Sequence, residues 1–282
     1  MHLRLSDAYT TRLRGLYRLA GSAPSSPLIL STYGDPNVWE LDWPSKRLAL
    51  RFGPQRPLVQ RVLRRSAPAP DGEGVERPLH NVLALVSGQD GPLVIDGDAR
   101  TGRTHLVDLC SGSRQLVARG SRAFSAACTI PVTAIALGGH RPITLLQWPG
   151  AGVLGEMAGH NDGARDMAFS PDGRLLASVG GESEDEQHRD AIRLWDVQTL
   201  AERRSWLWHH LGAVAFHPGG DTIAVGCMMP AAIKLWHLES DVVNTVAVDA
   251  PGGISCLCYS PDGRWLWAGD RTGKLMLFTV EM

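Results

Sequence analysis

SPDGRLLASVGGESEDEQHRDAIRLWDV, residues Ser170–Val197, contains a pattern that returns twice before the end of the chain. The later copies are HPGGDTIAVGCMMPAAIKLWHL (His217–Leu238) and SPDGRWLWAGDRTGKLMLFTV (Ser260–Val280). Each copy has a turn rich in Gly, an apolar strand that ends in small residues, and a further strand that ends in Trp or Phe. These aromatic residues recur about every 41 or 42 residues, which is the period of four-stranded units that stack on one another.

Three earlier parts of the chain fit the same pattern with fewer matching residues. Residues 26–43, 83–112 and 131–148 each contain two apolar strands that correspond to the second and third strands of a unit. Together with the three clear copies they give six units. The prediction is an all-β fold, a β-propeller of four-stranded antiparallel blades, with residues 1–282 as a single domain.

The two ends of the chain predict how the ring closes. The last unit stops after its third strand, whereas an alternating stretch, Met1–Asp7, precedes the first unit. We therefore expect the N-terminal strand to complete the last blade, which removes an exposed sheet edge. A Pro- and Arg-rich segment, Arg51–Pro78, lengthens one repeat and is predicted to be an inserted loop. The alternative is a degenerate seventh blade threaded through that segment.

Composition narrows the class of protein. The net charge is −1, which argues against the electrostatic footprint of a nucleic-acid binder. No apolar run approaches the roughly 18 residues that span a membrane, and the first twenty residues lack the apolar core of a signal peptide. The five cysteines include no CxxC pair, and Cys256 and Cys258 are expected to be buried thiols. A reduced, cytoplasmic protein is the simplest prediction.

Gly159-His160, Ser170–Gly173 and Trp195-Asp196 resemble the repeat motif of the WD-repeat (WD40) β-propellers. The resemblance is strong over about residues 159–282 and faint before them. It implies a structural hydrogen-bond network inside a blade and a role as a scaffold for protein complexes. The resemblance implies no catalytic residue and no cofactor. The residues assigned to the network are His160, Ser178, Asp190 as the acid, Trp195, and Trp236 as the counterpart of Trp195 in the next unit, while Phe278 stands in the last.

Loop lengths predict that one rim of the ring is elaborated and the other plain. In this family the connections between blades and the loops between second and third strands open on the same rim. Three long segments fall there: Arg51–Pro78, Gly180–Asp190 and Gly226–Ala232. Because function concentrates in loops on a rigid scaffold, we expect the binding surface on this rim.

The candidate partner-binding residues form three groups: arginines of the inserted segment, acids of the next loop, and a Trp/His/Met cluster. The charged groups fit a partner of opposite charge, or simply keep the loops solvated. The Trp/His/Met cluster fits an interface, a soft-metal site with Cys227, or packing between blades. The residues are Arg61, Arg64, Arg65, Glu182, Glu184, Asp185, Glu186, Trp206, Trp208, His209, His210, Met228 and Met229.

Three classes of function remain open at this point. The sequence contains no GxSxG, GxGxxG, HExxH or P-loop motif, so a non-enzymatic scaffold or adaptor that binds proteins or peptides is the favoured function. An enzyme or metal-binding protein that uses the channel mouth is the alternative, and a purely structural ring is the third. No cofactor or metal is expected, and the sequence leaves the oligomeric state open.

Overall fold

The computed structural model describes residues 1–13, 15–21, 24–32, 37–52, 79, 81–88, 91–140, 142–150, 152–182 and 189–281. Within these residues, 24 strands form six four-stranded antiparallel sheets. The all-β prediction is confirmed. None of the described residues belongs to a helix that is long and apolar enough to cross a membrane.

The strands follow one another through the blades in chain order after the N-terminal strand, β1 (His2–Thr10). Blade 1 contains β2 (Leu16–Ala20), β3 (Leu28–Thr32), β4 (Val38–Asp42) and β5 (Arg47–Phe52). Blade 2 contains β6 (Val82–Gly88), β7 (Gly91–Asp98), β8 (Arg103–Asp108) and β9 (Arg114–Ala118). Blade 3 contains β10 (Ser125–Cys128), β11 (Ala134–Gly138), β12 (Ile143–Gln147) and β13 (Val153–Met157).

The second half of the ring repeats this order. Blade 4 contains β14 (Ala164–Phe169), β15 (Leu175–Gly181), β16 (Arg189–Asp196) and β17 (Glu202–His209). Blade 5 contains β18 (Leu211–Phe216), β19 (Thr222–Cys227), β20 (Ala232–His237) and β21 (Val242–Ala247). Blade 6 contains β22 (Ile254–Tyr259), β23 (Trp265–Asp270), β24 (Lys274–Glu281) and β1.

The inner strands close the ring at six blades. Contacts join β2 to β6, β6 to β10, β10 to β14, β14 to β18, β18 to β22, and β22 back to β2. Because blades 1 and 2 touch directly, no blade fits between them, and the alternative of a seventh blade is wrong. The predicted inserted loop begins later than expected, since Arg51 and Phe52 end β5; residues 53–78 lie outside the described residues.

The N-terminal strand completes the last blade, as its alternating pattern predicts. It pairs antiparallel with β24 from His2 opposite Glu281 to Thr10 opposite Lys274. The hydroxyls of Ser6 and Thr279 also lie within 2.8 Å of each other. The strand begins one residue later and ends three residues later than the predicted Met1–Asp7.

The core lies between the blades rather than within them. Trp195 of blade 4 belongs to one buried cluster with Ala136 of blade 3, and Trp267 of blade 6 belongs to another with Leu16 and Leu30 of blade 1. The largest completely buried side chains include Trp195, Trp236 and Trp267. Each buried Leu, Ile or Val of these clusters contributes about 1.5–3 kcal/mol relative to an exposed position, so the stability of a blade depends on its neighbours.

A β-bulge recurs at the start of the inner strands. All six inner strands belong to the described part of the chain. In five of them, the second residue of the inner strand is left out of the pairing with the neighbouring strand of the blade. The residues skipped are Tyr17, Leu83, Arg165, Gly212 and Ser255. A bulged residue leaves the strand ladder, so its backbone needs another partner.

Candidate interaction rim and central channel

The two rims of the ring differ in their connections. The loop rim carries the links between blades and the loops between second and third strands; the turn rim carries the other turns. By strand order, the two longest connections join strand ends on the loop rim: Phe52 to Val82, and Gly181 to Arg189. The third segment, Gly226–Ala232, is not an elaborated loop, because its ends belong to β19 and β20 and only the four residues 228–231 remain as a turn.

Blade 4 contains a continuous hydrogen-bond network. The indole N–H of Trp195 donates to the hydroxyl of Ser178 over 2.8 Å, and that hydroxyl lies 2.8 Å from His160 Nε2. His160 Nδ1 lies 2.7 Å from Glu182 Oε1. Because a carboxylate only accepts, a neutral His160 carries its proton on Nδ1, and Ser178 donates to Nε2. Glycine is required beneath this network, since a Cβ at Gly159 would lie 2.7 Å from the Trp195 ring.

The acid of the network is Glu182, and the assignment of Asp190 is corrected. Asp190 accepts hydrogen bonds from Leu211 N and Arg165 Nη1, each over 2.8 Å, so it joins blade 4 to the start of blade 5. Strand β15 continues through Gly181, which brings Glu182 over His160. Burial alone would raise the pKa of Glu182, but hydrogen bonds from His160 and Arg193 outweigh it and hold that pKa below its usual range.

The structure describes only one of the charged residues that were predicted to bind a partner on the loop rim. The side chain of Glu182 is 10% exposed and is committed to His160 and Arg193, so it is not available as a docking group. Six other predicted residues lie outside the described residues: Arg61, Arg64, Arg65, Glu184, Asp185 and Glu186.

The tryptophans of β17 pack toward blade 5. The Trp206 ring meets the Trp236 ring edge to face at 6.3 Å, and Lys234 Nζ lies 4.8 Å from the centre of the Trp208 ring. Trp236 itself donates to Asp241 Oδ1 over 2.9 Å, so it has no histidine network like that of Trp195. Trp206 and Trp208 therefore mainly pack against blade 5. Trp206 nevertheless keeps part of its surface exposed, and Leu207 beside it is 62% exposed.

The His and Met residues of the predicted Trp/His/Met cluster do not form one site. His209 ends β17 and is exposed, and His210 alone links β17 to β18 with a left-handed φ of 54°. Met228 packs against Gly212 and Gly253, whereas Met229 is 64% exposed. Burial raises the pKa of the Cys227 thiol, which makes it a poor metal ligand. In the part of the chain that the structure describes, no three His, Cys, Asp or Glu side chains form a metal-binding group.

The central channel is a cavity of about 360 Å³ lined by the inner strands. Its walls are mainly apolar, with Leu85, Phe169, Phe216 and Leu257 among them. Three cysteines also line it, and burial raises the pKa of Cys128 and Cys256 to about 12 and of Cys258 to about 11. These thiols therefore stay protonated and unreactive at neutral pH.

A buried ion pair crosses this channel. Arg18 of blade 1 and Asp166 of blade 4 approach within 2.7 Å, and both side chains are almost completely buried. Arg18 Nε donates to Leu83 O over 2.7 Å, while Val214 N donates to Asp166 Oδ2 over 2.9 Å. The guanidinium also stacks on the Tyr17 ring, with 4.1 Å between its central carbon and the ring centroid. The pair therefore connects four blades directly.

The polar groups that converge in the channel satisfy one another. Tyr17 OH donates to Phe124 O over 2.7 Å, which adds blade 3 to the set. Burial would lower the pKa of Arg18, but the charge of Asp166 and the interactions with Tyr17 and Cys256 together outweigh burial and raise that pKa. A reactive site needs a nucleophile or base with an open position beside it. Here the donors of Arg18 and the oxygens of Asp166 are already engaged in hydrogen bonds and in the ion pair, so the arrangement is structural. Tyr17, Arg18 and Asp166 are called the clasp below, because they hold the inner strands of several blades together.

The sequence analysis missed Tyr17, Arg18 and Asp166. The signal was present, because Arg18 and Asp166 are charged residues at the third position of the inner strands LYRLA and ARDMAF, and only apolar residues follow them in these strands. Both follow the recurring bulge. That bulge frees the backbone carbonyls of Leu83 and Arg165, and Arg18 donates to both. Arg18 thus supplies hydrogen bonds to two backbone carbonyls that have no partner in the strand ladders.

Comparisons with known proteins agree with this architecture. Residues 152–196 and 241–278 match the family model described as WD domain, G-beta repeat. The chain is similar to the Protein LST8 homolog of Drosophila melanogaster, with 24% identity over 117 residues that cover 40% of this chain and 35% of the relative. The meiotic recombination protein rec14 of Schizosaccharomyces pombe is 28% identical over 124 residues, which cover 43% of this chain and 39% of the relative. Each match thus spans less than half of the relative.

Solved structures extend the likeness to the whole ring. The WD40 β-propeller domain of Doa1 superimposes with a TM-score of 0.67 at 17% identity, covering 99% of this chain and 97% of that chain. The hydrazine synthase of Kuenenia stuttgartiensis gives a TM-score of 0.64 at 15% identity, covering 93% and 76%. At such identities the likeness concerns the fold, which by itself does not decide an activity. Two matched repeats, six blades in a closed ring and the His160–Ser178–Trp195 network together give this chain the repeat and the fold of the WD-repeat β-propellers.

Proposed function

We propose that this protein is a non-enzymatic interaction scaffold that binds proteins or peptides through the loop rim. One observation carries the proposal: the convergent polar side chains of the channel, Tyr17, Arg18 and Asp166, are committed to one another and to backbone groups. A propeller enzyme needs such residues to be open to a substrate. The longest connections, by contrast, join strand ends on the loop rim, which supports this rim as the binding surface.

The WD-repeat family supports the same function, since its propellers typically serve as interaction scaffolds. We further propose a cytosolic location, which the five free cysteines support because a secreted domain of this kind tends to pair them. The partner is a protein or peptide rather than a nucleic acid, in keeping with the net charge of −1. Residues 1–282 act as one domain in this proposal.

The test is affinity capture with the purified chain, followed by reconstitution with each partner found. One variant changes the loop rim, with Glu184→Gln, Asp185→Asn and Glu186→Gln; Glu182 and Asp190 are kept because they hold blade 4 together. The matched control makes the same change of charge on the turn rim, with Asp172→Asn, Asp221→Asn and Asp262→Asn. A purified partner that binds the wild type and the control but not the loop-rim variant supports the proposal. Equal binding to all three proteins contradicts the assignment of the rim.

A further inference from the structure

Four arginines lie together on the loop rim of blade 2. Arg100 is in the turn between β7 and β8, and Arg103 is the first residue of β8. Arg119 and Arg122 lie in the connection from β9 to β10. All four side chains are exposed, Arg100 to 84%. These four residues are called the arginine patch below.

The two segments that carry the arginine patch are in direct contact. Ser121 N donates to Gly102 O over 3.0 Å. A Cβ on Gly102 would lie only 3.2 Å from the Cα of Gly120, so the backbones meet with no side chain between them. Both glycines have left-handed φ angles, 66° and 69°, which only glycine adopts readily. Two arginines on each segment therefore flank one point of contact.

The charge of the arginine patch is largely uncompensated within the described residues. Arg103, Arg119 and Arg122 make no ion pair there. Arg100 Nε lies 3.6 Å from Asp98 Oδ1, but Asp98 already accepts hydrogen bonds from Arg100 N and the Thr101 hydroxyl within the turn. A compact surface with four cations and one internally engaged carboxylate has a strong positive potential.

We propose that the arginine patch docks an acidic segment of a partner protein. This inference rests on the proposed scaffold function and specifies the charge of the segment that binds. The guanidinium fork matches a carboxylate with two parallel hydrogen bonds, so Asp- or Glu-rich chain is the complementary chemistry. The patch is confined to two short segments on a chain of net charge −1, which does not suit a nucleic acid that needs a long basic track.

The experiment measures the fluorescence anisotropy of a short, labelled, glutamate-rich peptide on the full chain. The patch variant carries Arg100→Gln, Arg103→Gln, Arg119→Gln and Arg122→Gln. The matched control carries Arg4→Gln, Arg47→Gln, Arg174→Gln and Arg264→Gln, four exposed arginines of the outer strands and the turn rim. Both variants lose the same four charges, so any difference between them reports position. A thermal melt verifies that both are folded.

The expected result is binding by the wild type that strengthens as the salt concentration falls. The patch variant should lose at least about tenfold in affinity, while the control stays within about twofold of the wild type. Absence of binding by the wild type overturns the proposal, as does an equal loss in both variants. Equally tight, patch-dependent binding of a labelled single-stranded oligonucleotide also overturns it, because the patch would then be a general polyanion surface.

The capture experiment separates this inference from the scaffold function. If the patch variant captures the purified partner as fully as the wild type, the arginine patch is not the docking site although the scaffold function stands. If the wild type captures no partner but binds the acidic peptide through the patch, the peptide result stands alone and the scaffold function fails.

Discussion

Arg18 Nη1 and Asp166 Oδ1 lie 2.7 Å apart across the central channel, although 148 residues separate them in the sequence. Blades 1 and 4 face each other in the ring, so this ion pair spans its full inner diameter. The bulges of the inner strands explain why it exists. They leave the carbonyls of Leu83 and Arg165 without strand partners, and Arg18 donates to both while it neutralises Asp166.

Removing one member of this pair should be strongly destabilising. Arg18→Met leaves a buried carboxylate without its counter-charge, and Asp166→Leu leaves a buried guanidinium. Each single variant is expected to lower the free energy of unfolding by about 3–5 kcal/mol, because an unpaired charge then remains in the core. Equilibrium unfolding in urea measures this loss.

The double variant, Arg18→Met with Asp166→Leu, provides the control. It removes both charges, so its loss of stability should be clearly smaller than the sum of the two single losses. Additive losses would show that the two side chains act independently, and the clasp would then be the wrong description.

Much of the ring could be predicted because its determinants are local. The Gly-rich turns, the strands that end in Trp195 and Trp236, and the alternating N-terminal strand are each visible in a short stretch of sequence. The six units and the closure by β1 followed from these patterns.

The parts that sequence reasoning missed depend on geometry at a distance. Choosing Glu182 over Asp190 as the network acid required knowing that β15 continues through Gly181. Pairing Arg18 with Asp166 required knowing that their blades face each other, which follows only once the ring is closed. The loop between β19 and β20 was predicted to be longer than it is, because the ends of these strands cannot be located from composition.

Deleting the N-terminal strand, residues 1–10, should destabilise the ring severely or cause aggregation. The deletion exposes the ladder of β24 along eight registered pairs from Lys274 to Glu281. It also removes the ion pair in which Lys46 Nζ lies 2.7 Å from Asp7 Oδ2, a link between β1 and blade 1. Size-exclusion chromatography and thermal melting measure the effect. A synthetic peptide of residues 1–10 should restore part of the stability when added back, and a mild effect of the deletion would contradict closure by β1.

Ser178→Ala should cost about 2 kcal/mol of stability. The change leaves the buried Trp195 N–H without an acceptor and His160 Nε2 without its partner, and an unsatisfied buried polar group costs about 1–3 kcal/mol. Ser205→Ala is the matched control on exposed β17, where the change should stay within about 0.5 kcal/mol. If the two variants unfold at the same urea concentration, the network contributes little to the stability of blade 4.

Asp196 predicts a specific acid dependence of stability. Hydrogen bonds from Thr199 N and then from Arg203 lower its pKa from 3.8 to about 2 in the folded protein. Because the folded pKa is depressed, the stabilisation from this carboxylate is fully present above the unfolded pKa and is lost as the pH falls from about 4 toward 2. Asp196→Asn keeps an amide oxygen as acceptor for the backbone but removes the charge that Arg203 pairs with. Urea midpoints should therefore show the variant below the wild type at pH 7, with the gap narrowing as the pH approaches 2. A gap that stays constant over this range would mean that the charge of Asp196 does not contribute.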